Sequence, residues 1–283
     1  RGLVGSEMCI RDRSLSLQNS GYSIPLIGFS WDSNTAFSLD NVTLSYHGWM
    51  IAKKIANENG PILGKFISDY KTECPEDKIR IIAHSLGSRV TLSALQWIHE
   101  NIKDQNNNNV SREITSVHLM GAAVNNDQIS TNPNDCISYT PYLPCSGVAI
   151  QSEVGYFSNL FNPEDNTLAG EINPFCWICG LVKSPYELSE GHNALGAYGA
   201  ASTIGVPSNF DETDVSNLII VDTDSNKDGE CDILYPVTHI CTISKNGDNY
   251  MGYIGYRDDI DRQTVYDSGA IKQIVNDWQS ENN

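Results

Sequence analysis

From Gly21 onward the chain alternates short apolar runs with longer stretches whose apolar residues recur every three or four positions. Ile24-Pro-Leu-Ile-Gly-Phe-Ser30 is a compact apolar run closed by Trp31-Asp-Ser-Asn, the pattern of a buried strand ending in a loop. Residues 44–58 place Met50, Ile51 and Ile55 at helical spacing, and Gly60-Pro61 reads as a break. A second helical stripe follows in Ile62, Leu63, Phe66, Ile67 and Tyr70, ended by Cys74-Pro75-Glu76-Asp77. Lys78-Ile-Arg-Ile-Ile-Ala83 is the next strand, and a helix over 87–101 turns Val90, Ala94, Leu95 and Ile98 inward. Further strands are expected at 114–124, 148–161 and 218–221, with a closing amphipathic helix at 270–278. Strands separated by helices predict an α/β fold, a mostly parallel sheet covered on both faces. The Asn106–Asn109 run is a solvated loop, and neither a repeat nor a linker marks a domain boundary.

Composition narrows the classes. Of 283 residues 40% are hydrophobic and 19% charged, a globular balance rather than a disordered one. The 18 Lys and Arg against 35 Asp and Glu give −17, which argues against nucleic acid and against anionic membranes as partners. No run of 18 apolar residues exists, so no transmembrane segment is expected. Residues 1–13 stand apart: they lack apolar periodicity, carry Arg1, Arg11, Arg13 and Cys9, and look like the translation of a transposase adapter used in preparing sequencing libraries. They are set aside as non-native, which makes 14–283 the folding unit and places the natural N-terminus upstream.

The sharpest chemical motif is Ala83-His84-Ser85-Leu86-Gly87, a G-x-S-x-G pattern with Ala in the first small position, between an expected strand and an expected helix. A tight, strained turn there lifts the Ser85 hydroxyl above the sheet edge, and small residues two before and two after relieve crowding. The Leu86 N–H, at the helix start, is then aimed to donate to a developing oxyanion. The bland reading is a capping serine.

On these residues the chain resembles the α/β-hydrolase superfamily, in its lipase and esterase branch. The elbow continues as Ser88-Arg89-Val90, as in many lipase-like serine hydrolases, and Gly28-Phe-Ser-Trp-Asp-Ser33 looks like a strand that precedes the elbow in one such group. The resemblance covers most of residues 20–200. It implies that the strand at 24–30 is the fourth of the fold, so that the first strands and the second oxyanion donor lie upstream. It also implies the triad order serine, acid, histidine. Asn162-Pro-Glu-Asp165-Asn-Thr-Leu168 follows the 148–161 strand, and its likeness to N-x-x-D-N-x-L loops selects Asp165 over Glu164 as the residue that orients the base.

The base is harder to assign. His47 and His99 fall on helix or surface positions, His84 lies inside the elbow, and His118 precedes the acid. His192, in Glu190-Gly-His-Asn-Ala-Leu-Gly196, reads as part of a packed structural loop. His239, in Pro236-Val-Thr-His-Ile-Cys241, remains. The resemblance would also put the base in a D-N-H-x-G-Y-like loop, where Asp248-Asn-Tyr250-Met-Gly-Tyr253 carries tyrosine, a poor base near neutral pH. Two readings therefore stand: His239 is the base, or the base is lost.

Asp222-Thr-Asp224-Ser-Asn226-Lys-Asp228-Gly229-Glu230-Cys-Asp232 sets oxygen-bearing side chains at every second position before a glycine turn, as a loop wrapping a hard cation does. Position twelve from Asp224 is Tyr235 rather than Glu, so this is no EF-hand; it looks like dockerin and thrombospondin-type calcium loops. Structural Ca2+ is expected, and no organic cofactor. Without Cys9, seven cysteines remain; the close spacings of Cys136 with Cys145, Cys176 with Cys179 and Cys231 with Cys241 suit disulfides in an oxidising compartment, leaving Cys74.

The combined expectation is a secreted or cell-surface serine hydrolase acting on a small ester or lipid. Two insertions, 126–147 and 170–200, are placed to form lids. The rival is a non-catalytic, calcium-stabilised extracellular binding protein on a hydrolase scaffold. Nothing in the sequence indicates an oligomeric state.

Overall fold

A computed structural model of the chain describes residues 17–18, 21–22, 25–31, 42–102, 114–136, 143–163, 165, 168–169, 193–216, 256–258, 265–267 and 269–280. Helix α1, Val42–Glu73, runs unbroken through Pro61, where the sequence predicts two helices. Proline has no N–H, so the Asn57 carbonyl loses its partner four residues on. The Ser93 hydroxyl, from the following helix, donates to that carbonyl at 2.8 Å and replaces the missing bond. Gly60 makes this approach possible, since a Cβ there would stand 2.2 Å from Ser93 Oγ. One turn on, a Cβ at Gly64 would stand 2.9 Å from the Ala94 carbonyl.

After α1 come β1 (Arg80–His84), α2 (Gly87–Asn101), β2 (Ile114–Met120), α3 (Gly147–Glu153), β3 (Val154–Phe161), a single turn α4 (Leu195–Tyr198) and β4 (Phe210–Asp214). The sheet order is β1-β2-β3-β4. β1 pairs with β2 and β2 with β3 in parallel, with Ile82 opposite His118 and His118 opposite Ser158. Leu92, Leu95 and Ile98 of α2, Ile67 of α1, Val117 and Leu119 of β2 and Phe157 of β3 form one buried cluster. The architecture is thus the expected α/β one, a mostly parallel sheet with flanking helices.

Three strand expectations change. Among the described residues Pro25–Ser30 pairs with no strand, with Leu26 43% and Ile27 67% exposed; an apolar run makes a strand only where a ladder is available. The stretch 148–161 divides into α3 and β3, because Gly147, Ala149, Ile150 and Glu153 bury a helical face before alternation begins at Val154. The strand expected over 114–124 is β2, which stops at Met120, where Gly121 turns with φ 52°. The strand expected at 218–221 lies outside the described residues.

Contacts divide the chain into two compact units, the first comprising Arg1–Ser30, Glu164–Thr167 and Asp214–Asn283, the second Trp31–Pro163 and Leu168–Thr213. In the first, β5 (Tyr256–Asp258) and β6 (Val265–Asp267) pair antiparallel. Helix α5 (Gly269–Ser280), the expected closing helix, buries Ala270, Ile271, Ile274, Val275 and Trp278. The Trp278 ring lies 4.5 Å from that of Tyr22. No described helix is long and apolar enough to cross a membrane.

Candidate active site

Ser85 occupies the turn between β1 and α2 with φ 55°, and among the described residues no other non-glycine has positive φ. An L-residue held there carries about 1–3 kcal/mol of strain and keeps it only when its surroundings over-determine it. They do. The Ser85 N–H donates to the Met120 carbonyl at 3.1 Å, and its own carbonyl accepts from Ala123 N–H at 3.2 Å and Ser88 N–H at 3.1 Å. The elbow backbone is clamped between the end of β2 and the first turn of α2.

Among the described residues, that first turn leaves two N–H groups without a backbone acceptor. Arg89 and Val90 N–H groups both turn back to the Leu86 carbonyl, and Ser88 N–H to that of Ser85. The Leu86 and Gly87 N–H groups therefore precede the first internal bond of α2, where the helix dipole is positive. Leu86, the N-cap, has φ −63° and ψ −18°. A Cβ at Gly87 would lie 3.9 Å from Ala83 Cβ, an ordinary contact, so the two small positions are mutually sized rather than one demanding glycine.

The elbow is enclosed by two short segments of the same unit. Ala122 and Val124 carbonyls accept from Gly196 and Leu195 N–H at 3.0 and 2.8 Å. The Gly196 carbonyl takes Asn162 N–H at 3.0 Å, and Asn159 Nδ2 donates to the Leu195 carbonyl at 3.0 Å. A Cβ at Gly196 would fall 1.9 Å from the Ala122 nitrogen, so only glycine lets this segment lie against the end of β2. Leu86 and Trp49 pack on a buried apolar group of Ala123, Leu168, Ala169, Ala194 and Ala197.

The insertions expected over 126–147 and 170–200 meet where they are described. Asn126 N–H donates to the Asn193 carbonyl, Ala201 N–H to that of Asn126, and Thr131 N–H to that of Gly205 at 2.8 Å. A Cys136–Cys145 disulfide closes the first, with Cα atoms 5.5 Å apart, and Gln128 Nε2 donates to the Leu143 carbonyl at 3.1 Å.

Asp165 is fully buried, four residues beyond the end of β3 and in the first unit. His118 is also fully buried, its ring 5.6 Å from Tyr156. His99 lies in the last turn of α2, about 18 Å along the helix from its start. There its Nδ1 is 3.2 Å from Glu153 Oε1 and 2.9 Å from Ser152 Oγ. His84 immediately precedes Ser85 in β1. His192, His239 and Tyr250, the calcium-type loop Asp222, Asp224, Asn226, Asp228, Glu230 and Asp232, and Cys176, Cys179, Cys231 and Cys241 lie outside the described residues.

Two features of the site escaped sequence reasoning. One is the clamp from Ala123, a residue with no side-chain chemistry to announce it. The other is Arg89, 1% exposed in the first turn of α2; its position beside inward-facing Val90 was the available signal.

Residues 10–146, just under half of the chain, match a protein family described as "Alpha/beta hydrolase of unknown function (DUF900)". The match takes in α1, β1, the elbow, α2 and β2. No curated protein and no solved structure matches the chain.

Proposed function

We propose that this member of the α/β-hydrolase superfamily is a serine hydrolase that cleaves carboxylic esters through an acyl-enzyme on Ser85. The observation that carries the reading is the strained φ of Ser85 at a strand-to-helix turn, since such strain persists where function requires it. Ser85 Oγ attacks the ester carbonyl carbon as His239 takes its proton. The tetrahedral oxyanion is met by Leu86 N–H, and His239 returns the proton to the departing alkoxide. Water then attacks the acyl-enzyme with the same base, releasing the acid and restoring Ser85. Asp165 is the orienter. Its complete burial favours this over a plain loop role, because a carboxylate leaves water only where it is paired.

The substrate in this reading is a small ester or a lipid, bound over the elbow at Ser85. The insertions act as lids over it. Structural Ca2+ belongs to 222–232, whose alternating carboxylate and amide oxygens match a hard cation; Asp222, Asp224, Asn226, Asp228, Asp232 and the Glu230 carbonyl would hold it. The Cys136–Cys145 disulfide supports export to an oxidising compartment.

Hydrolysis of a series of p-nitrophenyl esters tests the reading. Turnover lost in both Ser85→Ala and His239→Gln, and little changed in His192→Gln, supports it. Turnover that survives Ser85→Ala contradicts it, and a folded wild type inert toward every ester favours the binding-protein rival set by Tyr250. Calcium is tested separately: an unchanged melting temperature on adding millimolar calcium would remove the metal from the account.

A further inference from the structure

Helix α1 differs in character on its two sides. Ala52, Ala56 and Ile67 are buried on one, where Gly60 meets α2 and Ile67 joins the core cluster. On the other, Ile51, Ile62 and Phe66 are 47%, 60% and 46% exposed, and Ile55 and Tyr70 are partly exposed. At 3.6 residues per turn these five side chains fall within about 100° of arc, a continuous outward stripe. The Phe66 and Tyr70 rings stand 6.4 Å apart along it. A strand added to the sheet would extend the layer beneath α1 and leave this outer side open.

The charges lie along one edge of the stripe. Lys54 and Glu58 are 3.6 Å apart and Lys65 and Asp69 2.7 Å apart, all four side chains between 62% and 66% exposed. In a chain of net charge −17, these two cations and two anions balance, so like charge does not accumulate where two such edges meet. Their spacing is self-complementary. With a second α1 antiparallel and a two-fold axis between Pro61 and Ile62, Lys54 comes level with Asp69 of the other copy. Glu58 then comes level with its Lys65. Such an axis keeps each flank on its own side, so the charged edges of both copies coincide. The 1.5 Å rise per residue also interleaves the apolar side chains. Tyr70 of one copy falls between Ile51 and Ile55 of the other, Phe66 between Ile55 and Ile62, and the two Ile62 meet at the axis.

We propose that this outer face of α1 pairs with the same face of a second copy, closing an antiparallel two-fold dimer. Burial of the five apolar side chains drives association, and the crossed charge pairs set its direction and register. Growth stops at two, because a self-complementary contact uses the whole stripe in both copies. One pair of helices covers less than the roughly 800 Å² per partner of a standard interface, so the dissociation constant is expected at about 10–100 µM.

Sedimentation equilibrium on the full chain, from about 5 to about 500 µM, provides the test. Wild type should pass from the mass of one chain to twice that mass. Ile62→Lys sets like charges together at the axis, and Glu58→Lys places a cation opposite Lys65; each should raise the dissociation constant about tenfold or more. Combining Glu58→Lys with Lys65→Glu restores the pairing between copies while spoiling both i,i+4 pairs within the helix. It should return the constant to within about threefold of wild type, a recovery that repair of the helix itself could not produce. Val206→Lys replaces an apolar residue outside α1, 42% exposed, and should leave the dimer intact. A wild type monomeric throughout overturns the proposal and leaves the face to a different protein or a further segment of chain. So does a dimer indifferent to Ile62→Lys, one that Val206→Lys dissolves equally well, or one that the double charge exchange fails to restore.

Discussion

Two places in this chain break a local backbone rule, and they are resolved in opposite ways. At Pro61 a helix interior holds a residue that cannot donate, and the Ser93 hydroxyl of a neighbouring helix restores the lost bond. The irregularity is absorbed and nothing reactive is left over. At Ser85 the backbone is held at φ 55° by Met120, Ala123 and Ser88, yet those bonds hold the turn in place without relieving it. What remains there is a hydroxyl beside the Leu86 and Gly87 N–H groups, which precede the first internal bond of α2. The first irregularity belongs to packing and the second to chemistry, and the distinction lies in what each compensation leaves free.

Substitutions at these positions test the contrast. The largest effect is expected at the nucleophile: Ser85→Ala should lower ester turnover by a factor on the order of 10^3 to 10^6. Ser85→Gly should be equally inactive, yet about 1 kcal/mol more stable to urea, since glycine adopts positive φ without strain. Equal stability of Ser85→Gly and wild type would mean the turn stores nothing. Next comes Gly196→Ala, whose Cβ meets main chain at 1.9 Å; a loss of about 3 kcal/mol is expected, with turnover falling as the elbow's surroundings shift.

Ser93→Ala strips the Asn57 carbonyl of its donor and should cost about 1–2 kcal/mol. In a Pro61→Ala background the helix supplies that donor itself, so the same substitution should cost less than about 0.5 kcal/mol. Identical costs in the two backgrounds would show that Ser93 does not compensate for the proline. Smallest of all is Gly87→Ala, whose added Cβ makes only an ordinary contact. Stability should move by no more than about 0.5 kcal/mol, and turnover should be retained.

How much of this was legible in the sequence depended on how far apart cause and effect lie. The elbow reads directly because strand, turn, nucleophile and helix fall within one short stretch and obey one local logic. Helix α1 did not, because the donor that lets it pass Pro61 sits 36 residues from the carbonyl it serves. Pro25–Ser30 has the composition of a buried strand, but a strand is completed by its neighbour and composition names none. α3 hid inside an apolar run whose period changes from helical to alternating at Val154. Residues 194–198, just past the stretch around His192, lie against the end of β2 through Gly196. Nothing in G-H-N-A-L-G announced that its glycine is held by the Ala122 backbone.

The central claim is that the strained turn at Ser85 presents a nucleophile. Incubating the folded full-length chain with a fluorophosphonate, then measuring intact mass and mapping the modified peptide, tests it most directly. The account predicts a single adduct on Ser85, absent in Ser85→Ala and after unfolding in urea. No adduct on the folded chain, or one on another residue with Ser85 unmodified, would contradict it.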